Sequence, residues 1–555
     1  MTTEKADFDE RGPQTLEQPA YEAAMLVSQA QAADAADRQL TIWQALKKYK
    51  KAVLWSTLLS TALIMEGYDV VIINGFFGQP QFAEKFGDYN PETGKKEITA
   101  PWQSGLANSA LVGELAGLVC NFFATDKFGC RLTYCFFMIW LACAIFISVF
   151  APSLSVLAFG EAMSGISWGV FQTLTTAYAC EIVPTVLRPF VTGYVCLAWG
   201  AGILLSSGVL RAVVGLDGSL GWRLPFTLQW VWPVPLLVAA FFAPESPWNA
   251  VRRGKMEEAR KSLIRLRSAG TYTEDDIDAT LAYIQHTTEM EKLEVEGASF
   301  LDCFRGTNLR RTEINAMTWT CQIFDGNPLT SYAVVFFEAA GFDTNATFDL
   351  NMCVNACFVI GPLICFCIMP HFGRRTIYMT GLTGMLIIQI VIGGLGFALN
   401  HSTQIAVGVL LIICTLINTI FMGATCYPIV AETPSGRLRY KTIAIGRFVY
   451  NIAGLIQNSI TPRMLSPSSK SAWNWGARAG LFYAGTNALC LTWCFFRLPE
   501  SKGRSFGELD MLFEQRVPAR KFKTTSIDEF AHSPVYQKTL DEKEATFAAN
   551  AEHKE

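Results

Sequence analysis

Long apolar runs recur along this chain, and its charges are bunched in the gaps between them. A helix needs ~20 apolar residues to cross the hydrocarbon core of a bilayer. Runs of that kind read near 52–75, 102–124, 133–150, 154–178, 190–210, 223–243, 314–337, 349–369, 377–398, 405–430, 442–463 and 477–496, which makes twelve spans. Only 17% of the residues are charged, against about 25% in a soluble chain. The expected fold is an all-α membrane protein, with twelve transmembrane helices in two six-helix bundles and a cytoplasmic helical linker domain. The sequence divides into a disordered cytoplasmic N-terminal tail (1–45), an N-terminal bundle (46–243), linker helices (244–313), a C-terminal bundle (314–497) and a cytoplasmic C-terminal tail (498–555).

Basic residues set the orientation. Lys47, Lys48, Lys50 and Lys51 precede span 1, and Lys127 and Arg131 lie between spans 2 and 3. Arg252, Arg253, Lys255, Arg310 and Arg311 lie in the linker, and Lys502 and Arg504 follow span 12. All fall on one side if both termini are cytoplasmic; Lys95, Lys96 and Lys470 fall opposite. The first 45 residues lack a basic stretch followed by an apolar one, so no cleavable signal is expected. The sixteen cysteines are placed in spans or on cytoplasmic segments, which argues against a disulfide framework. Five histidines, no HExxH and no nucleophile–base grouping point away from metal chemistry, a cofactor or an enzyme.

Each half carries the same three acid–base marks in the same order. Asp126 and Arg131 lie between spans 2 and 3, and Arg374 and Arg375 between spans 8 and 9. Glu181 and Arg188 lie between spans 4 and 5, and Glu432 and Arg437 between spans 10 and 11. Pro244-Glu245-Ser246 follows span 6, and Pro499-Glu500-Ser501 follows span 12. A matched set of this kind is an internal repeat, the arrangement expected of repeated transporters. Carboxylates and arginines at the inner helix ends are expected to pair between neighbouring helices and across the halves, as a cytoplasmic gate.

This pattern resembles the sugar porter family of the major facilitator superfamily over roughly residues 45–520. More narrowly, it is similar to the fungal α-glucoside:proton symporters of the maltose permease group. The narrower likeness rests on Glu66-Gly67-Tyr68-Asp69, on Gly165-Ile166-Ser167-Trp168-Gly169-Val170-Phe171-Gln172-Thr173, on Trp473-Asn474-Trp475-Gly476, and on Glu508-Leu509-Asp510 with Phe513-Glu514. The resemblance implies the major facilitator fold, a place in the plasma membrane, and import of a disaccharide with protons by alternating access. Its partners would be the sugar, protons and the lipid bilayer, with no nucleic acid. The sequence departs from the family at Phe122, where the first loop motif usually has glycine. Pro370 and His371 replace the acid–base pair of the second.

Ionisable residues inside spans are functional candidates by default. Glu66 and Asp69 lie in span 1, Glu114 in span 2, Glu161 in span 4, Asp325 in span 7 and Arg447 in span 11. Sugar porters generally pair an acid in span 1 with an arginine in span 4, and Glu161 stands at that arginine's place. Glu66, Asp69 and Glu161 are therefore expected to share a proton and titrate as one unit, and the α-glucoside group is similar in carrying acids there. Glu114, next to Gly113, also reads as packing polarity; Arg447 is a candidate to balance an acid or to act in the gate.

A sugar site needs amides for hydroxyls and aromatics for the ring face. Glu161, Trp168 and Gln172 fall on one helical face, at spacings of seven and four. Gln322, Asn327 and Tyr332 flank Gly326-Asn327-Pro328, an expected helix break. Asn355, Tyr427 and Asn451 complete the candidates. By the resemblance, Gln322 matches a sugar contact and Tyr427 stands where a tryptophan often stacks. Linkage is not written in such motifs. A β-linked disaccharide such as lactose or cellobiose stays open beside maltose, as does a sugar sensor on a transporter fold.

Overall fold

The computed structural model describes residues 40–525 apart from 91–93, 185, 217, 269, 296–299, 332–333, 335–336, 338–341, 399, 436–437, 466–472, 503 and 505. Six helical spans make the first half. Span 1 is Lys50–Phe76, span 2 Ala100–Phe128, span 3 Cys130–Val149, span 4 Leu154–Ile182 and span 5 Arg188–Val213. Span 6 runs from Leu220 to Phe242. The second half holds span 7 from Gly306–Phe324, span 8 Thr344–Ile368, span 9 Arg374–Leu395, span 10 His401 to Glu432, span 11 Arg439–Leu465 and span 12 Ala479–Arg497.

Among the described residues, ten of these helices are long and apolar enough to cross a membrane on composition alone. The other two are spans 7 and 11. Span 11 carries Arg447, Asn451 and Gln457, and span 7 carries Glu313, Asn315 and Gln322. Those side chains point at neighbouring helices rather than at lipid, which is how a polar helix is tolerated at membrane depth. The lipid side of the bundle is apolar instead: Phe146, Phe241, Phe397 and Leu489 are exposed.

Glycine fixes how the first half packs. A Cβ on Gly113 would lie 2.1 Å from the carbonyl oxygen of Ala162, and one on Gly117 2.1 Å from that of Ile166. Gly165 and Gly169 meet Ala110 and Glu114 in the same way from span 4. Two small-xxx-small stripes thus bring spans 2 and 4 into backbone contact, since lipid tails give apolar side chains no drive to associate. Gly67 lies against the carbonyl of Trp199, and Gly202 against that of Ile64, which locks span 1 to span 5. Two tightly packed pairs result: spans 2 and 4, which carry Glu114 and Glu161, and spans 1 and 5, of which span 1 carries Glu66 and Asp69.

Among the described residues, span 1 breaks briefly at Thr61, and spans 6, 7 and 10 depart further from a regular helix. Span 6 narrows to a 3₁₀ turn at Gln229–Val231, between Pro225 and Pro233. Span 7 stops at Phe324 and helix resumes at Asn327–Ser331, with Gly326 at φ 97° between them. Span 10 widens into a π-helical segment at Asn418–Gly423. Such irregular turns often mark functional positions.

Between the halves the linker forms helices Pro247–Arg252, Met256–Leu266 and Glu274–Val295, packed on Val251, Leu263, Ile277 and Ile284. Ordered structure reaches into both stretches expected to be tails. A helix at Ile42–Lys48, closed by a capping box between Thr41 and Gln44, begins within the stretch 1–45 expected to be disordered. Past span 12, a helix at Phe506–Glu514 buries Leu509, Leu512 and Phe513 in the second half, and Arg311 pairs with Asp510. Amphipathic spacing, invisible beside so many apolar runs, explains why that segment reads as tail.

Candidate functional site

Asp69 and Glu161 lie in the interior of the first half, 3% and 0% exposed. Their carboxyl groups are within hydrogen-bonding reach of each other. Gln229 donates from Nε2 to Asp69 Oδ1 at 2.5 Å, and Ser148 donates to Glu161 Oε1 at 3.4 Å. The 3₁₀ turn of span 6 aims Gln229 inward, and the Tyr68 hydroxyl donates to the Pro225 carbonyl and braces that turn. Two carboxyl groups hydrogen-bond only with a proton between them, because carboxylates accept and do not donate.

Glu66 belongs to a different group, which corrects the expectation of one three-acid unit. Residues three apart on a helix are about 60° apart around the axis, and here that rotation sends each carboxyl to a separate neighbour. Gln172 donates from its amide nitrogen to Glu66 Oε1 and accepts two bonds on Oε1 from Arg447, at 2.9 and 2.5 Å. Glu114, read beforehand as possible packing polarity, accepts from Asn451 Nδ2 at 3.4 Å. The Arg447 guanidinium lies 5.0 Å from the ring centre of Trp319 and 4.6 Å from that of Tyr450. Two acids from the first half thus face one arginine from the second, and the bonds of Gln172 and Asn451 cross between the halves, as does that of Asn108 in span 2, which donates to Ser459 in span 11 at 2.9 Å.

The expected sugar contacts divide. Trp168, 1% exposed, faces Asp69 inside the first half without a well-aligned hydrogen bond. Gln172 and Asn451 are engaged in the cross-half group. Asn355 donates to Ser207 at 2.6 Å and joins span 8 to span 5. Asn327 accepts from the Thr330 hydroxyl at 3.1 Å, within the short helix that follows the break in span 7. Tyr427 stands edge-on to Trp319, ring centres 5.2 Å apart. Tyr332 lies outside the described residues. Gln322 sits beside Cys426, its amide nitrogen buried and without a well-aligned hydrogen bond. The same holds for Glu66 Oε2, Asn451 Oδ1 and Trp319 Nε1. Sequence reading missed Gln229 and Trp319; prolines on both sides of Gln229 were the available signal.

The gate residues cluster at the linker face. Glu245 accepts from the backbone N–H groups of Cys130, Arg131 and Ser246, at 2.8, 3.2 and 3.3 Å. Burial pushes its carboxyl above the ordinary range, and those backbone bonds pull it back. Gly129, at φ 89°, leaves no room for a side chain: a Cβ would lie 2.5 Å from the Arg253 guanidinium. Glu500 likewise lies against a glycine, Gly373 at the start of span 9, and accepts from the backbone N–H of Lys502 at 3.3 Å. Glu181 pairs with Arg252 at 2.7 Å and accepts from Ser246; Glu432 pairs with Arg374 at 3.5 Å and accepts from Ser501. Arg375 donates to the Phe495 carbonyl at 2.8 Å. Each of these bonds stays within its own half, and the expected pairing across the halves is not found among them. The side chains of Asp126 and Arg188, and Arg437 entirely, lie outside the described residues. Among the described residues, an ion pair joins the halves at the opposite face, between Arg211 and Asp349 at 2.7 Å.

Comparison with known proteins places this geometry. A family model described as "Sugar (and other) transporter" matches residues 55–513. The general alpha-glucoside permease of Saccharomyces cerevisiae is 39% identical over 527 residues, covering 94% of this chain and 85% of that one. A maltose permease of the same yeast is 38% identical over 506 residues, covering 90% and 82%. Among solved structures, a proton:xylose symporter of the major facilitator superfamily bound to 6-bromo-6-deoxy-D-glucose superposes with a TM-score of 0.68 at 20% identity, covering 85% of this chain and 100% of that one. An inward-open xylose transporter from E. coli gives 0.65 at 19% identity, covering 83% and 98%.

Proposed function

Because the chain belongs to the sugar (and other) transporter family, we propose that it imports an α-linked disaccharide such as maltose together with protons, by alternating access. The permease relatives, at 37–39% identity over most of the chain, support the substrate class. The observation that carries proton coupling is the Asp69–Glu161 contact, a carboxyl pair with no cation of its own among the described residues.

In this mechanism the pair loads a proton while the path faces outward. Glu66 and Glu114 share the single positive charge of Arg447, so this group too approaches neutrality with one proton. Sugar hydroxyls engage Gln322, Trp319 and Tyr427 and compete for the bonds that Gln172 and Asn451 make across the halves. The halves at 46–243 and 314–497 then rock about that centre. Both termini and the linker at 244–313 face the cytoplasm of a plasma-membrane protein, and the carboxylate clusters at that face keep each half stiff.

The test is uptake in yeast cells lacking their own sugar permeases, with external pH recorded as sugars are added one at a time. Alkalinisation with maltose, and not with lactose or glucose, is the expected result. Asp69→Asn/Glu161→Gln should still equilibrate maltose but no longer alkalinise the medium or concentrate it. Full coupling in that double variant would refute the proton role.

A further inference from the structure

One buried acid has no part in that scheme. Asp325 in span 7 is 0% exposed, and its contacts include no basic side chain. An uncompensated acid at membrane depth is costly, so a bond that an amide could equally make does not account for it. Its two oxygens serve different helices. Oδ1 accepts the backbone N–H of Asn327 at 2.8 Å, and Oδ2 accepts from Asn418 Nδ2 at 2.5 Å. Asn327 opens the far segment of the broken span 7, and Asn418 opens the π-helical segment of span 10. Asparagine there would keep one acceptor oxygen for Asn327 but turn a donor nitrogen toward Asn418, so the second link would hold only if the Asn418 amide turned over, and then without a charged partner.

The break around it is held from three sides. Gln389 of span 9 donates to the Asp325 carbonyl, and Thr486 of span 12 donates to the Phe324 carbonyl at 2.7 Å. A side chain at 326 would displace Gln389, whose amide nitrogen would lie 2.0 Å from the new Cβ. The carbonyls freed where the helix stops are thus satisfied by side chains, as a break buried in protein requires. The internal repeat adds an independent mark. Glu66-Gly67-Tyr68-Asp69 in span 1 and Gln322-Ile323-Phe324-Asp325 in span 7 align as polar, two residues, aspartate. Each aspartate receives a side-chain amide from another helix of its own half, Gln229 or Asn418.

We propose that Asp325 is a positioning residue of the second half that latches the far segment of span 7 to span 10 and so controls access to the sugar path from the far face. The proposal rests on the transport reading above, because Gln322, one turn before Asp325, is among the sugar-facing groups. Release of either bond frees the segment that begins at Asn327, without moving the linker-side part of the span.

An exchange of partners tests it. In Asp325→Asn/Asn418→Asp, the new amide at 325 still accepts from Asn327 and donates to the new carboxylate at 418, so both links return with one reversed. Radiolabelled maltose flux is measured in right-side-out and inside-out vesicles holding equal amounts of the full chain. Asp325→Asn alone and Asn418→Asp alone are expected to change the ratio of the half-saturating concentrations at the two faces by about tenfold, the scale of one lost hydrogen bond to a charged group. The double exchange should return that ratio to within about threefold of the unaltered protein. A merely structural role would lower flux equally from both faces. Asn418→Ala, which removes only the Oδ2 bond, gives the same reading if Asp325→Asn does not reach the membrane. Single variants with an unmoved ratio, or a double exchange no better than the singles, overturn the latch. Absence of maltose flux in the unaltered protein overturns the transport reading instead.

Discussion

Replacing Gln172 with leucine is expected to uncouple this protein while leaving it folded. Gln172 lies in span 4 and is half-buried, so leucine of similar size fits without a cavity. The amide makes one bond to Glu66 and accepts two from Arg447. Bonds to charged partners contribute about 1.5–3 kcal/mol each, and three would sum to well above 4 kcal/mol in a dry site. Water reaches a half-buried position, and Arg447 keeps its stacking on Trp319 and Tyr450. A net loss of about 3 kcal/mol is the better figure, which lowers the population of the state that holds this contact by about 100-fold. The assay compares accumulation against a gradient with equilibrium exchange in the same vesicles. Exchange should persist, and the accumulation ratio should fall at least tenfold. If Gln172→Leu concentrates maltose as the unaltered protein does, the bridge does not link the acids to closure, and the reasoning fails.

Two further outcomes follow from the packing. Gly113→Leu should prevent spans 2 and 4 from meeting and keep the chain from the cell surface, whereas Gly394→Leu, where a Cβ meets nothing within 4 Å, should be tolerated; surface labelling of the two variants decides. Glu245→Ala leaves three backbone N–H groups without an acceptor and should destabilise the first half by about 2 kcal/mol, visible as an earlier melting transition in detergent, with Glu245→Gln intermediate because only one of its side-chain atoms accepts.

The spans and the repeat were legible because both rest on local sequence: length of apolar run, and punctuation at matching places. Spans 7 and 11 were read as apolar runs like the other ten, although their composition is too polar for a membrane-crossing helix taken alone. What stayed hidden depends on rotation and on distant partners. Glu66 and Asp69 look like one site in the sequence, yet the helix turns them toward Arg447 and Glu161 respectively. Asn355 and Asn451 have the chemistry of sugar contacts, but amides do not state whether they will meet a ligand or Ser207 and Glu114. The close approach of spans 2 and 4 was written in Gly113, Gly117, Gly165 and Gly169, and a search for small residues four apart would have found it. The π-helical turn at Asn418 has no comparable signal, since an extra residue in a helix leaves no mark on composition.

The carboxylates at the linker face tie each half to itself: Glu245 to the start of span 3, Glu432 to Arg374 at the start of span 9. A crevice between the halves can therefore widen on that side without breaking any of those ties. Resistance to widening then comes from the bonds that cross between the halves deeper in the bilayer, Gln172 with Arg447, Asn451 with Glu114 and Asn108 with Ser459. A cargo molecule that weakens this central set would release the linker-side door from a distance, with no need to touch the door.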